Sequence, residues 1–294
     1  MLITFGQVLE IGINRLEEAR IAGAKRDAEN LLLFLMNEDR KFLFLHRNDG
    51  TDEDHADAYF DLIDRRAAGE PLQYIVGSQE FMGLPFEVNE SVLIPRQDTE
   101  SLVELALEKA KEKKRSLSIL DMCCGSGAIA VSMAHFLPKA KVTACDISEA
   151  ALKVAKKNAD KNGVGGRVEF RQSDLFQIKK RKKVVQMKDS FDMILSNPPY
   201  IPTDVIGTLQ REIREHEPMT ALDGGDDGLD FYRRIASEAA ANLKKDGLLL
   251  LEIGSDQARA VTELLEAAEC YEEIGVHKDL AGLDRIVACR KKKL

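Results

Sequence analysis

The residues with the clearest chemical signature directly follow the apolar segment FDMILS and are Asn197, Pro198, Pro199 and Tyr200. Consecutive prolines restrict the backbone and remove N–H donors, which leaves carbonyl groups that can only accept hydrogen bonds. The side-chain oxygen of Asn197 beside such a carbonyl makes a pair of acceptors for the two hydrogens of an NH2 group, and Tyr200 offers an aromatic face. The run indicates recognition of a planar amide or amine nitrogen; the alternative is a rigid turn after a strand.

A planar amide or amine nitrogen is a poor nucleophile because its lone pair is delocalised. Acceptors that hold its hydrogens localise charge on the nitrogen and orient it towards an electrophile. A methyl group carried on a sulfonium is already strongly electrophilic, so the protein supplies placement and needs no metal. We therefore predict that Asn197, Pro198 and Tyr200 are catalytic, and that all four residues of the run bind the substrate.

A glycine-containing turn, DMCCGSGA at residues 121–128, lies between an apolar strand and an amphipathic helix. Glycines at such a turn let the backbone approach a ligand closely, and the helix start offers free N–H donors. Asp146 stands at the end of the next predicted strand, where a carboxylate can accept both ribose hydroxyls of a nucleoside. The spacing alone fits a dinucleotide as well as S-adenosylmethionine, and the run at Asn197 favours S-adenosylmethionine.

A second acidic position follows the predicted strand RVEF, in the segment SDLF. At this strand end Asp174 can bind the amino group of adenine, and the apolar side chain of Leu175 can lie on the ring. A turn cap formed by Asp174 is the alternative interpretation.

The pattern of apolar residues divides the chain into three parts. Residues 1–71 carry helical spacing and predict a small N-terminal helical bundle, which we interpret as a substrate-docking domain. Residues 72–97 are broken by glycine and proline and predict a β-hairpin connector. From residue 98 to 294, strands alternate with helices, which predicts a doubly wound α/β fold with a parallel sheet and an antiparallel pair of strands at its C-terminal edge.

Composition and net charge limit the classes of molecule that the protein is expected to bind. The formal net charge of −8 and the pI of about 5.4 argue against direct nucleic-acid binding. Charged residues interrupt the N-terminal segment, and no run reaches membrane-spanning length, so we expect a cytoplasmic protein. The histidines and cysteines show no metal-ligand spacing. The basic run KKRKK at 179–183 is interpreted as a solvated loop.

These residues resemble the protein-(glutamine-N(5)) methyltransferases specific for peptide-chain release factors, which act in translation termination. The resemblance covers almost the whole chain. Its most specific segments are the connector RRAAGEPLQYIVGSQEFMGLPFEVNESVLIPRQDTESLVE and the later stretch REHEPMTALDGGDDGLDFYRRI, since NPPY alone is shared with adenine methyltransferases.

The resemblance implies a Rossmann-like class I methyltransferase sheet that binds S-adenosylmethionine and releases S-adenosylhomocysteine. It implies a cofactor loop made of Cys123, Cys124, Gly125, Ser126 and Gly127. Further implied cofactor contacts are Asp146 at the ribose, Asp174 and Leu175 at the adenine, and Asn197. The run Asn197 to Tyr200 is expected to receive the glutamine of the Gly-Gly-Gln tip of a release factor.

Three positions depart from the family pattern. Cys123 stands where glycine is common, and Gln97 follows Ile-Pro-Arg in place of the commoner proline. Leu175 replaces an aromatic residue that some members carry. The basic run at 179–183 is also unlike many members.

Three other functions remain open from the sequence. An adenine N(6) methyltransferase would present the same NH2 hydrogens to Asn197, but base flipping and phosphate binding call for a basic surface. A glutamine of a ribosomal protein is a second possible target, and the segment IPRQDTESLVE favours release factors over it. A cofactor-binding module without turnover is a third reading, and the intact NPPY run argues against it.

Overall fold

A computed structural model describes residues 3–113, 115–180 and 183–293. The chain divides into two compact units. We call Met1–Ser78 with Gln210–His216 the helical unit, and Gln79–Leu209 with Glu217–Leu294 the sheet unit. No helix of the described residues is long and apolar enough to cross a membrane.

The helical unit contains five helices in its N-terminal part: α1 (Phe5–Glu18), α2 (Ala24–Met36), α3 (Arg40–Leu45), α4 (Glu53–Ala67) and α5 (Leu72–Val76). A capping box between Thr4 and Gln7 starts α1. The apolar stripes of α1, α2 and α4 meet in one core around the fully buried Tyr59. The Tyr59 hydroxyl donates to the carbonyl of Ala28 at 3.2 Å, and its ring passes so close to Gly12 that a Cβ there would collide with it.

A buried ion pair links three segments of the helical unit. The Nε of Arg66 lies 2.9 Å from Oδ2 of Asp27, and both side chains are almost fully buried. The Nη1 of Arg66 lies 2.7 Å from Oε2 of Glu212, which belongs to the later segment Gln210–His216. Arg66 therefore joins α4 to α2 and to that segment.

The sheet unit is built from strands that alternate with helices. After the hairpin β1 (Ser78–Phe81) and β2 (Leu84–Glu87), the elements are α6 (Gln97–Lys111), β3 (Ser118–Met122), α7 (Ala128–Phe136), β4 (Lys141–Asp146), α8 (Glu149–Lys161), β5 (Val168–Asp174), β6 (Gln177–Lys180), β7 (Lys183–Gln186), β8 (Phe191–Ser196), α9 (Thr203–Ile206), α10 (Arg211–His216, in the helical unit), α11 (Met219–Leu222), α12 (Asp230–Asn242), β9 (Leu243–Glu252), α13 (Ala258–Ala267), β10 (Tyr271–Lys278) and β11 (Asp284–Lys291).

The hairpin β1–β2 is a sheet of its own, and the remaining strands form a second sheet in the order β10, β11, β9, β8, β3, β4, β5, β6, β7. The neighbouring pairs from β9 to β5 are parallel, and β10 and β11 form an antiparallel pair at the C-terminal edge. This confirms the predicted doubly wound α/β fold. From β3 the chain builds outward through β4 and β5, then returns to the other side of β3 at β8, so a topological switch point lies between β3 and β8.

The basic run at 179–183 differs from the predicted loop. Lys179 and Lys180 belong to β6 and Lys183 begins β7, so the described residues form an antiparallel hairpin that extends the sheet. The side chain of Ile178 is buried in the core of the sheet unit, which anchors the hairpin. Burial of Ile178 therefore outweighs the charge of the run. Residues 181 and 182 lie outside the described residues.

The buried ion pair of the helical unit yields a stability prediction. Asp27→Ala leaves the buried guanidinium of Arg66 without its most deeply buried carboxylate partner, so we expect the free energy of unfolding to fall by about 3 kcal/mol. Asp64→Ala is the control, because Asp64 pairs with Arg15 at an exposed position and should cost under about 1 kcal/mol. Urea unfolding followed by circular dichroism measures both. Equal losses in the two variants would contradict the assignment.

Candidate active site

The turn between β3 and α7 places its two glycines in different roles. Gly125 has a φ of 51°, and a Cβ built on it meets nothing within 4 Å. Gly127 has a φ of 80°, and a Cβ there would lie 3.0 Å from the Cβ of Ala155 in α8. Gly125 therefore leaves open space for a ligand, whereas Gly127 lets α8 pack closely. Beneath the turn, the buried carboxylate of Asp121 accepts from the Ala130 N–H at 2.9 Å and holds the start of α7.

Asp146 connects this turn to the next strand end. Its Oδ2 accepts from the N–H of Gly125 at 2.8 Å, and its Oδ1 accepts from the N–H of Ser148 at 2.8 Å. Burial raises the pKa of Asp146, and the backbone hydrogen bonds from Ser148 and Gly125 oppose that rise. The carboxylate is thus held at the mouth of the glycine turn.

The carboxyl ends of β3, β4, β5 and β8 surround a cavity of about 370 Å³. The strand registers place Met122 beside Cys145 on one side and beside Ser196 on the other, so the segments that follow these strands meet at one edge. The predicted site residues that line the cavity are Cys123, Gly125, Asp146, Asp174, Leu175, Asn197 and Pro199. Candidate site residues that are far apart in the sequence therefore line the same cavity.

The other predicted residues are not among those that line this cavity: Cys124, Ser126, Gly127, Pro198 and Tyr200. The Cys124 N–H donates to the carbonyl of Cys145 at 2.9 Å, and the carbonyl of Ser126 accepts from Nδ2 of Asn158 at 2.9 Å. These contacts hold the turn in place. Tyr200 is largely buried, and burial raises the pKa of its phenol to about 12, so the phenol is neutral at physiological pH.

At the end of β5, Asp174 and Leu175 face the cavity in different ways. Leu175 is buried and adopts a φ of 50°, an uncommon conformation for a branched side chain. Oδ1 of Asp174 lies 2.8 Å from Nη2 of Arg234, which reaches the same cavity from α12. The acid is therefore paired with a cation in this structure.

The amide of Asn197 is held in one orientation. Its Nδ2 donates to Oγ1 of Thr99 at 3.1 Å. Burial raises the pKa of the neighbouring Glu252, and the interaction with Asn197 opposes that rise. An amide nitrogen engaged in this way leaves the Oδ1 atom, on the other side of the group, to accept from a ligand. Asn197 lines the cavity, and its role as an acceptor for a substrate stays a prediction.

The backbone after Asn197 is enclosed by the segment that contains Gly224 and Gly228. A Cβ on Gly224 would lie 2.8 Å from Cα of Tyr200, and a Cβ on Gly228 would collide with the carbonyl of Tyr200. Nε2 of Gln257 donates to that same carbonyl at 3.0 Å. These close contacts require glycine and fix the backbone of the NPPY run.

The cavity wall also includes residues that the sequence did not mark as site residues: Ser91, Val92, Leu93, Pro218, Met219, Thr220, Ala221, Phe231 and Arg234. An ion pair between Arg96 and the buried Glu217 ties the connector to the segment that begins at Pro218. Most of these side chains shape the cavity wall and carry no reactive group, so their residue types alone do not predict that they belong to the site. In the sequence, only the resemblance of the two segments to the family indicates it.

Two family models match the chain. One, described as a methyltransferase domain, matches residues 113–279, and the other, described as the PrmC N-terminal domain, matches residues 7–77. Among the described residues, no group of His, Cys, Asp and Glu side chains could hold a metal ion.

Individual relatives extend the match along nearly the whole chain. A release factor glutamine methyltransferase of Moorella thermoacetica is 44% identical and covers 96% of this chain and 97% of its own length. One of Clostridium acetobutylicum is 41% identical over 89% of each chain. A solved protein-(glutamine-N5) methyltransferase (release factor-specific) of Alicyclobacillus acidocaldarius is 31% identical, covers 71% of this chain and all of its own chain (100%), and superposes with a TM-score of 0.42. Identity of this extent shows that the chain belongs to the release factor glutamine methyltransferase family.

Proposed function

We propose that this protein transfers a methyl group from S-adenosylmethionine to the side-chain amide nitrogen of the glutamine in the Gly-Gly-Gln motif of peptide-chain release factors. The orientation of the Asn197 amide carries the proposal. Because Nδ2 is held by Thr99, Oδ1 is the atom offered at the cavity, and an amide NH2 group is a matching donor.

The cavity residues fit S-adenosylmethionine. A volume of about 370 Å³ lies within the range of small-molecule pockets. Gly125 leaves open space at the turn, Asp146 supplies acceptors for ribose hydroxyls, and Leu175 supplies an apolar surface for adenine. When bound, the cofactor supplies an electrophilic methyl group on a sulfonium.

The substrate side of the reaction is a matter of placement. The Oδ1 of Asn197 and the carbonyl of Pro198 accept the two hydrogens of the glutamine NH2 group, which stabilises the positive charge that develops on nitrogen. Pro198 and Pro199 add no competing N–H donors. The neutral phenol of Tyr200 offers an aromatic surface rather than a charge. The products are N5-methylglutamine, S-adenosylhomocysteine and one proton.

The alternative targets receive less support. Adenine in nucleic acid also presents an NH2 group, but a chain with net charge −8 repels a phosphate backbone. A ribosomal-protein glutamine fits the same acceptors. The names of the full-length relatives, which specify release factors, favour the release factor as the target. A release factor acts in the cytoplasm, where we place this protein.

We further propose that residues 1–71 dock the release factor, residues 72–97 connect, and residues 98–294 catalyse. The helical unit exposes large apolar side chains at the end of α3, with Phe44 87% and Leu45 69% exposed. Exposed apolar side chains of this size are typical of contacts with a partner protein.

Removing the ribose acceptor should weaken cofactor binding. We expect Asp146→Ala to lower the affinity for S-adenosylmethionine by roughly 10- to 100-fold, because charge-assisted hydrogen bonds contribute about 1.5 to 3 kcal/mol each. Titration calorimetry measures the affinity, and Glu149→Ala, an exposed acid on α8, is the control. A 2′-deoxy cofactor analogue should lose affinity for the wild-type protein but little for the variant. Unchanged affinity of Asp146→Ala would refute the assignment.

Removing the substrate acceptor should slow chemistry more than binding. We expect Asn197→Ala to reduce single-turnover methyl transfer to a release factor by on the order of a hundredfold at saturating cofactor, by analogy with loss of one oxyanion-hole donor. Asn242→Ala, which removes a buried structural asparagine of α12, should lower the melting temperature without this loss of rate. A near-normal rate in folded Asn197→Ala would require a different mechanism.

The docking proposal predicts a difference between large and small substrates. We expect the double variant Phe44→Ser, Leu45→Ser to raise KM for an intact release factor by about tenfold, as loss of an interface anchor does. Methylation of a short Gly-Gly-Gln peptide should be unchanged. Leu280→Ser, at the most exposed of these apolar positions in the sheet unit, is the control. Equal KM values for the intact factor would remove the docking role of this surface.

A further inference from the structure

The nitrogen side of the Asn197 amide contacts two buried groups outside the NPPY run. Thr99, in the first turn of α6, is 5% exposed and accepts from Nδ2 of Asn197 at 3.1 Å. Glu252, the last residue of β9, is 1% exposed, and its Oε2 atom has no hydrogen-bond partner among the described residues. Burial raises its pKa, and its interactions with Thr99 and Asn197 oppose that rise. The parallel register places Ser196 opposite Leu251, so the residues that follow each of them are neighbours at the strand ends.

Burying an ionised carboxylate costs free energy of folding unless the group is paired and hydrogen-bonded. A buried glutamate beside a candidate site residue is therefore a candidate for a functional role. Burial raises the pKa of Glu252 to about 7, and its hydrogen bonds and the charge of Arg285 limit the rise. The ionisable groups around it are Asp98 of α6, Arg285 of β11, Tyr200 and Tyr232 of α12. Arg285 itself is shared between Asp98 and Asp279, at 3.1 Å from each, so its charge is partly compensated.

We propose that Thr99 and Glu252 are positioning residues for methyl transfer, which hold the Asn197 amide with Oδ1 towards the substrate and increase the basicity of that oxygen. The Thr99 hydroxyl fixes the orientation by accepting from Nδ2. The charge of ionised Glu252 polarises the amide, because hydrogen bonds in a chain strengthen one another and act strongly in a dry interior. This inference rests on the proposed role of Asn197 in binding the glutamine amide.

The proposal gives opposite effects of pH on rate and on stability. The rate depends on ionised Glu252, so it should rise as pH increases through about 7. The folded-state pKa lies above the usual value of 4.5, so the folded protein binds this proton more tightly than the unfolded chain. The stability that the group contributes is therefore present at low pH and is lost as pH rises from 4.5 towards 7.

Single-turnover methylation of a release factor, measured from about pH 5.5 to about pH 8.5 at saturating cofactor, tests the proposal. We expect Glu252→Gln to lose the inflection near neutral pH and to react about tenfold more slowly at the high end. Its melting temperature there should be equal to or higher than that of the wild type. Thr99→Val should also slow the reaction by about tenfold, while Thr99→Ser, which keeps the hydroxyl, should restore the rate. Cofactor affinity should change little in all three variants.

The control is Asp192→Asn, which alters another buried acid at the opposite end of the parallel strands, where it pairs with Arg115 and Lys244. It should lower stability and leave the pH profile of the folded fraction intact. A Glu252→Gln variant that keeps both the inflection and the rate, or a Thr99→Val variant with a normal rate, would overturn the inference while leaving the role of Asn197 standing. Mass spectrometry that finds no methylated glutamine with the wild-type enzyme would overturn the proposed function and this inference together.

Discussion

Parallel pairing on both sides of β3 is the constraint on which the site depends. Because β4 and β8 run in the same direction as β3, their carboxyl ends lie at one edge, where the glycine turn, Asp146 and Asn197 follow directly. The change of direction in strand order at β3 and β8 opens a crevice between the following segments. One hydrogen-bonding pattern therefore gathers residues from three separate parts of the chain.

The polar groups at this edge are held by one another before any ligand binds. Asp146 accepts from two backbone N–H groups, and the amide of Asn197 donates to Thr99. Pre-organised groups need little rearrangement during the reaction, which is the source of much electrostatic catalysis. Burial raises the pKa of Glu252 to about 7, so the folded state holds this proton more tightly than the unfolded chain does.

Close backbone packing holds the NPPY run in place. Gly224 and Gly228 have no Cβ, so the backbone of Tyr200 can pack closely against them. Nε2 of Gln257 donates to the carbonyl of Tyr200. The segment that provides these glycines also provides the wall from Pro218 to Ala221. Substitution at either glycine would thus displace the backbone at Tyr200.

The sequence by itself determined the doubly wound sheet and the edge pair of strands, and it singled out Asn197 as a candidate acceptor, because periodicity and residue type are local properties. It also placed Asp146 correctly at a strand end. Only the tertiary structure decided the partners of these groups: Thr99 and Glu252 lie far from Asn197 in the chain, and Arg234 reaches Asp174 from another element. Local patterns report which face of an element is buried, but contacts between side chains distant in sequence depend on strand register and helix packing. The same reason explains the run at 179–183, where burial of Ile178 outweighed the charge of its neighbours.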